Sequence, residues 1–104
     1  MLFKEKHIKK IVRGEKTMTR RTHKHTLKVG KIYSIRSRYF EKSREHIKLT
    51  RKFRQRLGDI TLEDARKEGY ETLEDFKRAW IEINGKWDPD QLVWVYEFKK
   101  TTRG

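Results

Sequence analysis

The stretch Leu92-Val93-Trp94-Val95-Tyr96-Glu97-Phe98 is apolar at nearly every position. A strand with one wet face alternates apolar and polar side chains, whereas a strand covered on both faces reads as a continuous apolar run. The stretch therefore predicts a strand near the middle of a sheet, over Leu92–Lys99, with the tail Lys99–Gly104 frayed. Trp94 and Phe98 on this strand read as core.

Working back from it, Asp88-Pro89-Asp90 is a turn. Before the turn, Leu73, Phe76, Trp80 and Ile83 recur at helical spacing. They predict a helix over Leu73–Asn84 with these four on its buried face, stopped by Gly85. Thr72 with Asp75 three residues on forms its start signal. Thr61 with Asp64 repeats that signal and opens a shorter helix, Leu62–Glu68, ended by Gly69. Further back, Ile47, Leu49, Arg51 and Phe53 alternate with Lys48, Thr50, Lys52 and Arg54, which predicts a half-buried strand with one basic face. A charged hairpin connection, Glu41–Glu45, joins it to a strand from Ile32 that runs on towards Tyr39. At the start of the chain, Phe3, His7, Ile8, Ile11 and Val12 mark an amphipathic helix from Lys4 to Arg13, closed by Gly14. Helices and strands in this order give an α+β fold, a small mixed β-barrel flanked by helices, in one domain over residues 1–104.

Charge is unevenly distributed along the chain. Residues 1–58 hold 20 Lys+Arg against 4 Asp+Glu, and residues 59–104 hold 8 against 11. A charge-rich surface of the kind found in thermophiles accounts for the number of charges but not for one half lacking acids. The asymmetry points to a polyanionic partner, RNA or single-stranded nucleic acid. There is no cysteine, hence no disulfide framework. His23 and His25 form an H-x-H pair without a third ligand nearby, so Thr22–Lys28 reads as a solvated loop and no metal or cofactor is expected. No apolar run reaches membrane-spanning length and the start has no signal-peptide pattern, so the expectation is a cytoplasmic monomer. Tyr39, Phe40 and Trp87 lie outside the apolar stripes and can stack on a base.

The segment Gly14-Glu15-Lys16-Thr17-Met18-Thr19-Arg20-Arg21 concentrates the chemistry. In a regular strand Lys16 and Thr19 would face opposite sides. They can share one ligand only if the backbone turns, which predicts an irregular loop here. Lys16 and Arg21 are suited to bind an anion. Thr19 becomes a nucleophile only if a base takes its proton, and Lys16 can do so only when neutral. Burial and the cations Arg20, Arg21 and Lys24 favour the neutral amine; a nearby carboxylate opposes it.

Three features combine: Gly14-x-Lys16-Thr17-x-Thr19-x-Arg21, Glu68-Gly69-Tyr70 at a helix end, and Val93–Phe98 closing the chain. Their order and spacing resemble the ASCH domain family of the wider PUA-like group, over nearly the whole chain. The resemblance implies a PUA-like barrel with helices around a cleft that takes RNA or modified nucleosides. One branch of that family is an N4-acetylcytidine amidohydrolase of nearly this length. Its catalytic lysine, threonine and glutamate correspond to Lys16, Thr19 and Glu68. Only the resemblance singles out Glu68, and Arg20 stands where the family has an apolar residue. The reading is therefore an ASCH-like protein that binds RNA or a modified nucleoside in a basic cleft. Its nucleic-acid contacts are expected from Lys16, Arg20, Arg21, Arg36, Arg38, Lys48, Lys52, Arg54 and Arg56. The alternative is an amidohydrolase that deacylates N4-acetylcytidine or a related N-acyl nucleoside.

Overall fold

A computed structural model describes residues 1–37 and 45–101. In chain order the elements are helix α1 (Glu5–Val12), strands β1 (Met18–Arg21), β2 (Ile32–Ser34) and β3 (His46–Arg56), a 3-10 turn Leu57–Asp59, helices α2 (Leu62–Lys67) and α3 (Leu73–Asn84), and strand β4 (Leu92–Thr101). The strands form one curled sheet in the order β1-β4-β3-β2. Every strand pairing in it is antiparallel. The parallel component of the expected mixed barrel is a single bridge between Leu2 and Arg36. β4 is an interior strand, flanked by β1 and β3 as its apolar run predicts. It continues to Thr101, so Lys99 and Lys100 belong to the sheet instead of a frayed tail. β2 stops at Ser34. The expected extension is not strand over residues 35–37, where Arg36 forms only the bridge to Leu2, and its remainder to Tyr39, along with Arg38, Phe40 and nearly all of the charged connection, lies outside the described residues. Among the described residues no helix is long and apolar enough to cross a membrane.

The period-2 reading of β3 holds only in parts. Leu49 pairs with Phe98 but Arg51 pairs with Glu97, so Thr50 is an extra, bulged residue. One inserted residue moves everything after it to the other face. Ile47 therefore packs with Phe3, Ile11, Ile35 and Phe98 under α1. Phe53 packs on the opposite face, against the cluster of Met18, Val93 and Val95 with Leu57, Ala65, Phe76 and Trp80 from the α2–α3 side. The sheet is thus clothed on both faces, by α1 on one and by α2 and α3 on the other. Each fully buried Val, Leu, Ile or Phe contributes about 1.5–3 kcal/mol, and neither cluster is large enough alone to dominate the fold.

The helix signals match their predicted places. Thr61 and Asp64 form a reciprocal capping box at the start of α2. The Thr72 side chain accepts from the Asp75 N–H at the start of α3, which ends at Gly85 with φ +89°. Ile83 is the exception on α3. It is 59% exposed, unlike Phe76 and Trp80.

Candidate functional site

The backbone that carries the Gly14–Arg21 motif is fixed at three points. Gly14 takes φ +78°, which lets the chain turn back under the last turn of α1. The N–H groups of Glu15 and Lys16 both donate to the Lys10 carbonyl, at 2.9 and 3.2 Å. Thr17 donates to the Lys67 carbonyl at 2.8 Å and accepts from the Phe98 N–H at 2.9 Å. From Met18 the chain is a regular strand paired with β4, Met18 opposite Glu97 and Thr19 opposite Tyr96. The irregular loop expected over the whole motif is therefore confined to its first residues. β4 supplies ladder partners for the rest, which satisfies backbone groups that a buried loop would strand. Lys16 lies ahead of the strand, so strict alternation does not separate it from Thr19.

Glu68 is the residue that joins the motif to the rest of the molecule. It caps the C-terminus of α2, and the next residue, Gly69, turns with φ +98°. Lys16 Nζ donates to Glu68 Oε1 at 3.0 Å and to the Glu68 main-chain carbonyl at 2.9 Å. Arg20 Nη1 donates to Glu68 Oε2 at 2.8 Å. The other side of the Arg20 guanidinium holds the Gln55 amide oxygen, through Nη2 at 2.7 Å and Nε at 3.2 Å, with Asp64 at 3.5 Å. The Arg20 side chain is 0% exposed. Strand alternation points it inward with Met18, where Gln55, Asp64 and Glu68 engage its donors at the border of the cavity, so any ligand contact of Arg20 is made from inside the fold.

One carboxylate thus faces two buried cations. Arginine does not release its proton in proteins, so Arg20 is the permanent counter-ion of Glu68. Burial lowers the pKa of Lys16 below the ordinary lysine value; Glu68 opposes this, and Arg21 and Arg20 add to it. Because Arg20 already neutralises Glu68, Lys16 can give up its proton without leaving an unpaired carboxylate in the interior.

Lys16, Thr19 and Glu68 all line one cavity of about 780 Å³, which Arg21 also reaches. β1 is the edge strand, so a cavity beside it takes side chains from both of its faces. The far wall is aromatic: Tyr70 lies edge-on to Phe76 at 5.8 Å, and Phe76 lies 6.2 Å from Trp80. Exposed Ile83 is also part of the lining. Three buried polar atoms have no hydrogen-bond partner among the described residues: His7 Nδ1, Ser37 Oγ and Trp80 Nε1. All three residues border this cavity. Buried polar atoms are nearly always paired, so these three stand out among the described residues. His7 is neutral at physiological pH, its pKa pushed down to about 3 by burial and by Lys16, Lys6, Lys10 and Lys4. Its Nε2 lies 3.4 Å from the Tyr70 hydroxyl.

The remaining expected contacts are scattered. Arg21 donates to the Leu2 carbonyl at 2.8 Å and packs over Phe3. Arg36 is exposed beside the Leu2 bridge. Lys48 lies opposite Lys99. Arg56 is engaged by Asp59 and Asp90. Lys52 and Arg54 come together around Trp94. Trp87, read as free to stack, packs edge-on against Phe76 at 6.3 Å. Among the described residues no group of three His, Asp or Glu side chains could hold a metal ion. The sequence reading missed His7, Ser37 and Gln55. Their signal was spatial: Ser37 and Gln55 lie far from the motif in the chain, and His7 reaches the cavity from the helix ahead of it.

A curled antiparallel sheet with helices on both faces and a cavity at its edge strand is the PUA-like architecture. Within it, the fold is that of an ASCH domain. The ASCH domain of Lactobacillus crispatus JV V101 superposes with a TM-score of 0.70 at 18% identity, covering 93% of this chain and 71% of that one. Protein EF3133 from Enterococcus faecalis V583, assigned to family DUF984, superposes with a TM-score of 0.68 at 19% identity, covering 90% of this chain and 66% of that one. No protein-family model and no curated protein matches the sequence.

Proposed function

We propose that the protein binds a modified nucleoside, free or within RNA, in the cavity beside β1. The observation that carries this reading is the Lys16–Glu68–Arg20 cluster opening, with Thr19, onto a cavity whose other wall is aromatic and holds unpaired polar atoms. Its volume falls within the roughly 300–1,000 Å³ of small-molecule sites. A flat base suits Tyr70 and Phe76, and its ring heteroatoms suit Ser37, His7 and the Trp80 N–H.

A second reading follows from the lowered Lys16 pKa. It is the hydrolysis of an N-acyl nucleoside such as N4-acetylcytidine. Neutral Lys16 takes the Thr19 proton as Thr19 Oγ attacks the acyl carbon. The resulting ammonium returns that proton to the departing amine nitrogen as the C–N bond breaks. Water then releases the acyl group from Thr19. Arg20 is the residue that makes this sequence feasible, because it keeps Glu68 neutralised while Lys16 cycles between charged and neutral. Arg21 is available to the oxyanion, a contribution of about 3–4 kcal/mol per donor where such donors are well placed.

Calorimetric titration with N4-acetylcytidine and cytidine tests binding, and release of cytidine tests turnover. Wild type is expected to bind, and Trp80→Leu and Tyr70→Ala to bind less well. If turnover occurs, Thr19→Ala and Lys16→Ala should abolish it, and the rate should rise with pH as Lys16 loses its proton. Absence of binding by any modified or unmodified nucleoside overturns the cavity reading. Binding without cytidine release removes only the hydrolase reading.

A further inference from the structure

We propose a second site, on the face of the sheet around Trp94, that binds single-stranded nucleic acid by stacking a base on the indole and holding flanking phosphates with Lys24, Lys52 and Arg54. This site does not depend on what the cavity binds.

The register builds it. Arg54 lies directly opposite Trp94 across the β3–β4 ladder, and Lys52 lies opposite Tyr96, two residues along the same face. Arg21 opposes Trp94 from β1, so the chain that leaves β1 brings Lys24 back over the same ring. The charged groups of Lys24, Arg54 and Lys52 sit 5.4, 5.4 and 5.5 Å from the indole centroid. Three cations crowd one aromatic side chain that is itself only half-buried.

These three cations gather on one ring without an acid beside them, whereas several of the other surface cations are paired. Arg51 and Lys67 share Glu97, Arg56 reaches Asp59 and Asp90, and Arg78 pairs with Asp75. Among the described residues, none of Lys24, Lys52 and Arg54 has a carboxylate within 4.0 Å. Lys52 donates instead to the Leu27 carbonyl at 3.1 Å and the His25 carbonyl at 3.4 Å, which fixes its position without neutralising it. The indole face offsets part of the mutual repulsion. An anion between these groups would relieve the rest.

The combination selects the partner. An acidic peptide would satisfy the charges but has no use for an aromatic platform. A duplex offers phosphates but keeps its base faces stacked and hidden. A single strand presents both a repeating phosphate and an unstacked π-face, the two features that sequence-tolerant strand-binding surfaces use together.

The test is fluorescence anisotropy of a labelled 12-residue oligouridylate with the full chain at 50 and 200 mM salt. Three phosphate contacts to a single strand predict a roughly 20-fold loss of affinity across that range. Trp94→Ala should weaken binding about 5- to 100-fold, and Trp94→Phe should keep most of the affinity. The Lys24→Ser, Lys52→Ser, Arg54→Ser triple variant should lose binding and most of the salt dependence. Arg78→Ser, an exposed cation paired with Asp75 outside both sites, should leave oligouridylate affinity unchanged, and excess N4-acetylcytidine should not compete with the oligouridylate, which separates this site from the nucleoside reading. Two results overturn the proposal: affinity unaffected by both the Trp94→Ala and the triple variants, or a duplex of equal length bound as tightly with no dependence on Trp94. Binding to anionic phospholipid vesicles that competes with the oligonucleotide and survives Trp94→Ala would make the patch a general anion surface and overturn it too.

Discussion

Two groups of cations, one inside the molecule and one on its surface, obey opposite rules. Lys16 and Arg20 are buried and converge on Glu68, supported by Gln55 and Asp64. Lys24, Lys52 and Arg54 surround Trp94 with no acid close by. In the interior an unpaired charge is prohibitively costly, so a buried cation is found with its counter-ion already in place. On the surface water screens the repulsion, and an unpaired cluster can remain available to a ligand. The comparison teaches that the motif's charges are committed to one another inside the fold, whereas those of the adjoining loop and strand have no acid beside them among the described residues.

The largest effect should come from breaking the interior group at its acid. Glu68→Leu strands two buried cations and should cost about 3–5 kcal/mol, a thermal midpoint lower by more than about 10 °C for a domain of this size. Lys16→Met should behave in the opposite sense. It leaves Arg20 and Glu68 as a matched pair in an apolar setting and should cost under about 1.5 kcal/mol. Denaturant melts of the two variants check both statements. Equal losses would mean that Lys16, and not Arg20, is the principal partner of Glu68.

This interior arrangement was only partly legible in the sequence. The capping signals at Thr61 and Thr72 are local, and they placed α2 and α3 and hence Glu68 at a helix end. The apolar run Val93–Phe98 placed the interior strand. The burial of Arg20 was not legible because it depends on Gln55, Asp64 and Glu68, which lie 35 to 48 residues away in the chain. No local pattern distinguishes an arginine that meets a buried acid from one that faces solvent. Trp94, read as core, is half-buried. It sits in an apolar run, yet the bulge at Thr50 shifts the face of β3, and the ladder then sets Arg54 and Lys52 on Trp94's side. A single extra residue decided which side chains met, and period-2 reasoning cannot place such an insertion in advance.

A smaller effect concerns His7, which lies at the cavity wall. Its pKa is pushed down to about 3 in the folded protein, against about 6.5 in the unfolded chain. Between these values the unfolded state takes up a proton that the folded state refuses. Stability should therefore be fully present above pH 6.5 and fall as pH drops towards 3. His7→Phe removes this contribution. The difference between the wild-type and variant stability curves should be flat above pH 7 and open progressively in acid. A constant difference across the range would mean that His7 takes up its proton as readily in the folded protein as in the unfolded chain, and that burial and the surrounding lysines do not govern it.

The smallest effect on stability is expected at the surface group, and its smallness is what tests the comparison. Lys24, Lys52 and Arg54 contribute no ion pair among the described residues and repel one another around a single ring. Replacing all three by serine removes that repulsion, along with modest cation–π attraction of about 0.5–1 kcal/mol per exposed contact. Lys52 also loses its bonds to the Leu27 and His25 carbonyls, which remain near solvent and can turn to water. These terms oppose one another, so the midpoint of the triple variant should lie within about 1 kcal/mol of wild type. Oligouridylate should raise the melting temperature of wild type by mass action and leave that of the triple variant unmoved. Loss of several kcal/mol in the triple variant, with or without the oligonucleotide, would make these cations structural. The distinction between an interior group that organises and a surface group that waits for a partner would then collapse.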